Sequence, residues 1–362
     1  MFNNCRFLIC GGGTGGHLFP AKVIMSELSK KGAKVLYMGS RHGIEATKIE
    51  NNNVVLLDIK GFHRTLSISN LIDNIKFPFK IIKSILKSVF IIYRFNPQLI
   101  IGTGGYSSGI PLLAALILGK KIFIQEQNSY PGFTNRILSK YADKICVGYN
   151  ESKKYFKNKC IFTGNPLRKN LKLYNKSYAR NELKINKNKF TIFICGGSQG
   201  SKPINDYLKR NINFYNQLDA NIIWQCGPFH LKALSSLNIN RNIILYDFIK
   251  NIDLVYSASD LVISRSGALT LSEINYFGKA SILIPFPFAA GNHQYKNAIF
   301  SKKSEASIII EQKNLCNGSL ENEILKLKKS KSQIKKMSLS AKSISTPNSI
   351  DIIIKEINLS LC

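Results

Sequence analysis

The chain has 362 residues, enough for two domains with separate cores. Its 44% hydrophobic and 20% charged content is that of a globular protein and excludes a disordered one. The formal charge of +30 invites a nucleic-acid reading, but no RNP run, zinc-finger spacing or basic-region helix accompanies it. The excess of Lys over Arg, beside much Asn and Ile, also fits compositional drift; among functional readings, attraction to an anionic membrane surface is the more economical, with no nucleic acid as partner.

In chain order, short apolar runs alternate with helical patterns. The first half offers strands at Arg6–Cys10, Lys34–Met38, Val54–Asp58, Leu99–Ile101, Lys121–Ile124, Lys144–Val147 and Ile161–Phe162. The pattern restarts at Phe190–Cys195 and continues with Asn221–Gln225, Ile243–Leu245, Leu261–Ile263, Ser281–Ile284 and Ser307–Ile310. Such alternation predicts α/β architecture: two doubly wound, Rossmann-like parallel sheets facing a cleft. The stretch Lys169 to Lys189, rich in Lys and Asn and weakly periodic, reads as a linker. The uncharged run from Gln98 to Gly119 is long enough for a membrane span, but Gly102, Gly104, Gly105, Gly109 and Pro111 interrupt it. A strand, a turn and a helix are expected there. The start, Met1-Phe2-Asn3-Asn4, lacks the basic and apolar regions of a secretory leader, and the eight Cys form no CxxC or Cys/His zinc spacing. The chain therefore reads as soluble, its cysteines as small hydrophobes of a reducing compartment.

Three Gly-rich strand-to-helix turns stand out: Gly11–His17, Gly102–Ser107 and Gly196–Gly200. Glycine admits close approach to the backbone, and a helix beginning there offers free N–H groups, so a diphosphate is the expected guest. Gly11, Gly13 and Gly16 satisfy GxGxxG, but Tyr37-Met38-Gly39-Ser40-Arg41 stands where a dinucleotide fold has its ribose-binding acid, which weakens a nicotinamide reading. No Walker GxxxxGK[ST] is present.

With these loops in view, the sequence resembles the MurG family of bacterial peptidoglycan glycosyltransferases. The resemblance rests on Gly12-Gly13-Thr14-Gly15-Gly16-His17 with Pro20, Gly102-Thr103-Gly104-Gly105-Tyr106, Glu126-Gln127-Asn128 and Gly164-Asn165-Pro166-Leu167-Arg168. It continues through Gly196-Gly197-Ser198-Gln199-Gly200, Arg265 to Glu273, and His293-Gln294 with Asn297-Ala298. Gln125 replaces a frequent His and Ser201 a frequent Ala. The resemblance implies a GT-B fold, with residues 1–165 as acceptor- and membrane-binding domain and 166–344 as UDP-sugar domain. It leaves a terminal helix, about 345–362, to pack back on the first. The implied reaction is inverting transfer of N-acetylglucosamine from UDP-GlcNAc to the 4-hydroxyl of undecaprenyl-diphosphate-linked N-acetylmuramoyl-pentapeptide, at the cytoplasmic face of the inner membrane. A UDP-sugar 2-epimerase and a non-catalytic nucleotide-sugar scaffold are the competing readings.

A sugar hydroxyl is too weak an acid to ionise unaided, so transfer needs a positioned base. By resemblance His17 takes that role, with Glu126 as competing base or positioning carboxylate. Thr14, Gly15, Gly16 and Tyr106 line the acceptor side. Departing charge falls to Ser198, Gln199 and the following helix N-terminus. Glu273 would hold the ribose, Ile249 the uracil through its backbone, and Ala268, Leu269, Thr270, Leu271 and Ser272 the phosphate and sugar. Arg168 matches a donor-site Arg, while Asn128 and Gln294 match residues on the sugar hydroxyls. No Asp-x-Asp motif exists, so no cofactor is expected to bind tightly, loosely associated magnesium being the cation left open.

The segment Phe77 to Phe95 carries Lys80, Lys83 and Lys87 in one stripe, with Ile81, Ile82, Ile85, Leu86, Val89 and Phe90 around them. That pattern suits a helix lying on an anionic bilayer, or a domain helix burying its apolar face.

Overall fold

The computed structural model describes residues 2–49, 53–60, 68–157, 160–316 and 318–361. The chain divides into two compact units, Met1–Arg168 with Asn348–Cys362, and Lys169–Pro347.

In the first unit, the strands are β1 (Arg6–Cys10), β2 (Lys34–Ser40), β3 (Val54–Leu57), β4 (Leu99–Gly102), β5 (Ile122–Glu126), β6 (Lys144–Val147) and β7 (Cys160–Phe162). All pair in parallel, in the order β3-β2-β1-β4-β5-β6-β7. Every residue of β4 and β5 is buried, which is why these strands read as unbroken apolar runs. Strand order reverses between β1 and β4, the place where a doubly wound sheet opens a crevice at its carboxyl edge. Register there pairs Cys10 with Gly102, and the Thr103 N–H donates to the Cys10 carbonyl at 2.8 Å. Two Gly-rich loops are thereby laid side by side.

One face of this sheet is covered by the helix Gly15–Lys30, which buries Leu18, Ala21, Ile24 and Leu28, and by the C-terminal helix Ser349–Leu359. Ile350, Ile353, Ile354 and Ile357 of the latter share a core with Phe2, Phe7 and Leu28. On the other face, the helix Ile68–Phe95 packs beside the helix Tyr106–Ile117. Ser84 and Ser88 are buried on its inner side, and Ile81, Ile85, Val89 and Ile92 join the core. The apolar residues of this segment divide between two rows. The outer row, Phe79, Ile82, Leu86, Phe90 and Tyr93, is between 56 and 75% exposed, with Lys83, Lys87 and Arg94 beside it.

The second unit repeats the plan with β8 (Phe190–Cys195), β9 (Ala220–Gln225), β10 (Ile243–Tyr246), β11 (Leu261–Ser264), β12 (Ala280–Leu283) and β13 (Ser307–Ile309). These are parallel in the order β10-β9-β8-β11-β12-β13, with the reversal between β8 and β11. The sole tryptophan, Trp224, is buried on β9, and its indole N–H donates to Asn205 Oδ1 at 3.0 Å.

The stretch 169–189 is not a free linker. It holds the helix Lys176–Glu182, capped by Asn175, and packs on the helix Ile252–Ala258. The Arg180 guanidinium, 5% exposed, donates to the Ala258 carbonyl at 3.0 Å and pairs with Asp260 at 2.6 Å. A single buried cation anchors what composition alone presents as a polar tether.

Candidate functional site

In the first unit, Thr14 is the extended N-cap of the helix Gly15–Lys30, without a side-chain capping bond, and Gly15 and Gly16 form the helix's first turn. His17 follows within that turn, partly exposed. Its Nδ1 lies 2.9 Å from Gln127 Oε1 and 3.1 Å from the Thr103 carbonyl. Gly104 and Gly105, with φ of +96° and +79°, let the second loop close against the first. A side chain at Gly105 would overlap the Gly12 carbonyl. The glycines of these two loops are thus required by the loops' own contact.

The first loop also differs from an open phosphate cradle. Glu45, fully buried, accepts from the Gly13 N–H at 2.8 Å and the Ser40 N–H at 2.9 Å. Side chains at Gly12 or Gly43 would overlap that carboxylate, so these glycines make room for it. An internal carboxyl group takes one of the amides that the sequence offers to a ligand. Tyr106 stands over Gly13 with an exposed face, and partial burial of its phenol pushes it above the ordinary value.

Glu126 ends β5 with no exposure. Its Oε1 accepts from the Asn128 N–H at 2.9 Å and Asn128 Nδ2 at 3.2 Å. Its Oε2 accepts from the Gly132 N–H at 3.1 Å and Asn135 Nδ2 at 2.8 Å. Four donors occupy the lone pairs of one carboxylate, which ties residues 126 to 135 into a closed turn. Asn135 Oδ1 is buried with no hydrogen-bond partner among the described residues. Arg168 is exposed, at the end of this unit.

In the second unit, Ser198 and Gln199 sit at the rim of the loop between β8 and the helix Lys202–Arg210. Gly200, at φ +75°, runs so close to the Cys226 carbonyl that no side chain fits. Across the switch point, Arg265 follows β11 and is 7% exposed. Its guanidinium donates to the carbonyls of Ile284 and Pro285 at 3.1 and 3.0 Å, to Ser201 Oγ at 2.8 Å and to Gln312 Oε1 at 2.6 Å. Among the described residues it has no carboxylate partner, and burial lowers it from its ordinary 12.5 to about 10. The cation is held directly beneath the start of the Gly-rich loop's helix.

Ala268, Leu269, Thr270, Leu271, Ser272 and Glu273 all lie on the helix Ala268–Tyr276. Leu271 turns its side chain into the core, and the Ser272 hydroxyl donates to its own helix at the Ala268 carbonyl, 2.9 Å away. Glu273 accepts from the Tyr256 hydroxyl at 3.2 Å. Gln294 begins the next helix, and its Oε1 accepts from the Phe286 N–H at 3.0 Å. The Ile249 N–H donates to Gln225 Oε1 at 3.0 Å, while Gln225 Nε2 reaches the Gly197 carbonyl at 3.1 Å. Gln225 therefore links the loop at Ile249 to the Gly-rich loop.

Gln127, Glu45, Gln225 and Arg265 carry no role that the sequence alone assigns. Gln127 and Arg265 lie inside the motifs, but their partners are distant in sequence, so no local pattern assigns them. Among the described residues, no group of three or more His, Cys, Asp or Glu is gathered as metal ligands, and no helix is long and apolar enough to cross a membrane.

Residues 7–147 match the model of the glycosyltransferase family 28 N-terminal domain, and residues 191–351 that of its C-terminal domain. A relative from Flavobacterium psychrophilum, a UDP-N-acetylglucosamine–N-acetylmuramyl-(pentapeptide) pyrophosphoryl-undecaprenol N-acetylglucosamine transferase, is 38% identical, covering 97% of this chain and 96% of its own. The crystal structure of MurG from Acinetobacter baumannii superimposes with a TM-score of 0.76 at 27% identity, covering 98% of this chain and 99% of the other. A putative UDP-N-acetylglucosamine 2-epimerase from Listeria monocytogenes reaches 0.68 at 14% identity over 99% and 96%, a likeness of fold alone. The two parallel sheets are those of the GT-B glycosyltransferase fold.

Proposed function

The chain belongs to glycosyltransferase family 28, and on that premise we propose that it transfers N-acetylglucosamine from UDP-GlcNAc to the 4-hydroxyl of undecaprenyl-diphosphate-linked N-acetylmuramoyl-pentapeptide. The observation that carries this reading is the near-full-length identity to a transferase of that specificity.

In the proposed step, the acceptor hydroxyl oxygen attacks the anomeric carbon of the donor sugar. The carbon–oxygen bond to UDP breaks, UDP leaves with the electron pair, and the configuration inverts. His17 receives the hydroxyl proton on Nε2. Glu126 acts as a positioning carboxylate, because a group already accepting four hydrogen bonds has no lone pair aimed at substrate. Thr14, Gly15, Gly16 and Tyr106 contact the acceptor.

The leaving diphosphate is stabilised by Ser198, Gln199 and the N-terminus of the helix Lys202–Arg210. Arg265, a buried cation with no carboxylate partner among the described residues, adds positive potential under the same loop. Glu273 accepts from the ribose hydroxyls, Ile249 offers its backbone to the uracil, and Asn128, Arg168 and Gln294 serve the donor sugar and its carrier. The residues from Ala268 to Ser272 contribute chiefly backbone. These groups supply the charge stabilisation without a tightly bound metal.

The exposed row from Phe79 to Tyr93, with Lys and Arg beside it, supports attachment to an anionic membrane surface, on the cytoplasmic side where UDP-sugars are made. The test incubates the protein with UDP-GlcNAc and a lipid-linked muramoyl-pentapeptide. Release of UDP together with a lipid-linked disaccharide is expected. Acceptor-independent epimerisation of UDP-GlcNAc, with no disaccharide, would replace the transferase by an isomerase.

A further inference from the structure

We propose that Gln127 is a positioning residue that fixes the His17 proton on Nδ1, so that Nε2 presents its lone pair to the acceptor. This rests on the reading of His17 as the base. The assignment follows from what each atom can do. Gln127 has one side-chain amide nitrogen, Nε2, and it lies 2.8 Å from the Thr103 carbonyl and 3.0 Å from the Gln125 carbonyl. Carbonyl oxygens only accept, so the amide nitrogen must be the atom facing them. Oε1 is thereby left toward His17 Nδ1 at 2.9 Å, where the Thr103 carbonyl adds a second acceptor at 3.1 Å. A ring nitrogen between two oxygen acceptors must carry the hydrogen. The other tautomer would set the Nδ1 lone pair against both oxygens and place a proton on Nε2, where the acceptor hydroxyl has to deliver one.

The support extends one layer outward. Gln125 Oε1 also accepts from Gln127 Nε2, at 2.5 Å, and Gln125 Nε2 donates to Asn165 Oδ1 at 3.4 Å. Asn165 Nδ2 returns to the Gln127 carbonyl at 3.1 Å. Gln125, Gln127 and Asn165 are at most 1% exposed, so this amide chain is shielded from solvent. It carries no charge. The titratable groups on the surrounding elements are turned to other work: Glu126 to its own loop, Glu45 to the Gly13 and Ser40 amides, Tyr106 to the face of Gly13. The imidazolium formed during transfer is therefore steadied by dipoles and not by an ion pair, and the tautomer does not depend on the ionisation of a partner. Gln125, a neutral amide, keeps this backing free of a titrating group.

The test uses the full chain, ¹⁵N-labelled, with the His17 signals identified among its five histidines by their loss in His17→Gln. Long-range ¹⁵N–¹H correlations report which ring nitrogen is protonated. The Nδ1–H form is expected in the wild type, an outcome that needs no variant to fold. The Nε2–H form there overturns the proposal. In Gln127→Met, verified as folded by circular dichroism, mixed tautomers are expected, with kcat lowered at least about tenfold and KM for UDP-GlcNAc unchanged. A retained Nδ1–H tautomer with kcat within about twofold of wild type refutes the role of Gln127. His17→Gln separates the two readings. If it keeps full turnover, the base assignment fails; if it abolishes turnover while Gln127→Met does not, only the positioning role fails.

Discussion

Replacing Arg265 by Met probes the buried cation beneath the second unit's Gly-rich loop. Four bonds from a charged donor are worth about 1.5–3 kcal/mol each. Against them stands the cost of burying the guanidinium, which its fall to about 10 puts at about 3 kcal/mol. The bonds win. In Arg265→Met, Ser201 and Gln312 can turn to other partners, whereas the carbonyls of Ile284 and Pro285 are fixed by the chain and remain buried without donors. A loss of about 3–5 kcal/mol is expected, a large share of the roughly 5–15 kcal/mol that holds a domain together. Trp224, the only tryptophan and 2% exposed, reports unfolding of this unit by fluorescence. The urea midpoint should fall by about 1–2 M. Arg265→Lys, keeping the charge but not the fork, should fall between the two. A shift below about 0.3 M for Arg265→Met would mean that the four bonds do not organise this end of the sheet.

Glu126→Gln puts an amide nitrogen against N–H donors that now face oxygen; a loss of about 1–3 kcal/mol and a lower kcat are expected, with the pH–rate profile unmoved. A displaced basic limb would make Glu126 the base after all. Lys279, whose ammonium donates to the Ser257 and Ser259 carbonyls, is lowered by burial from its ordinary 10.5 to about 8. Between these values the unfolded chain binds a proton that the folded chain has released, so unfolding free energy rises with pH across that window, by at most about 1.4 kcal/mol per unit. Urea midpoints from Trp224 should show this rise in wild type and a flatter curve in Lys279→Met; identical curves refute it. Changing Ile82, Leu86 and Phe90 to Ser should abolish co-flotation with anionic vesicles and leave thermal stability within about 1 kcal/mol, since these side chains face outward. Undiminished flotation would remove this row as the attachment surface.

The strands were legible because a parallel sheet covered on both faces writes itself as short apolar runs; Phe7–Cys10 and Leu261–Ile263 are buried throughout. Residues whose meaning depends on distant partners were not. Gln127 meets His17 across 110 positions, and Glu45 meets the Gly13 amide across 32. The stretch 169–189 misled because its anchoring residue, Arg180, is chemically a surface residue that happens to be buried against Asp260. Conversely, the helix Ile68–Phe95 divides its apolar residues, which periodicity alone could not do: one row packs inward while another points outward.

The return of the helix Ser349–Leu359 to the first sheet has a consequence for biogenesis. Phe2, Ala21, Ile24 and Leu28 share a core with Ile350, Ile353, Ile354 and Ile357, which are added only after residues 169–347 have been made. The first unit is therefore completed only after the inserted one, residues 169–347, which can close as soon as it emerges. A nascent chain stalled before residue 349 would present an open greasy groove to chaperones, whatever the state of residues 169–347.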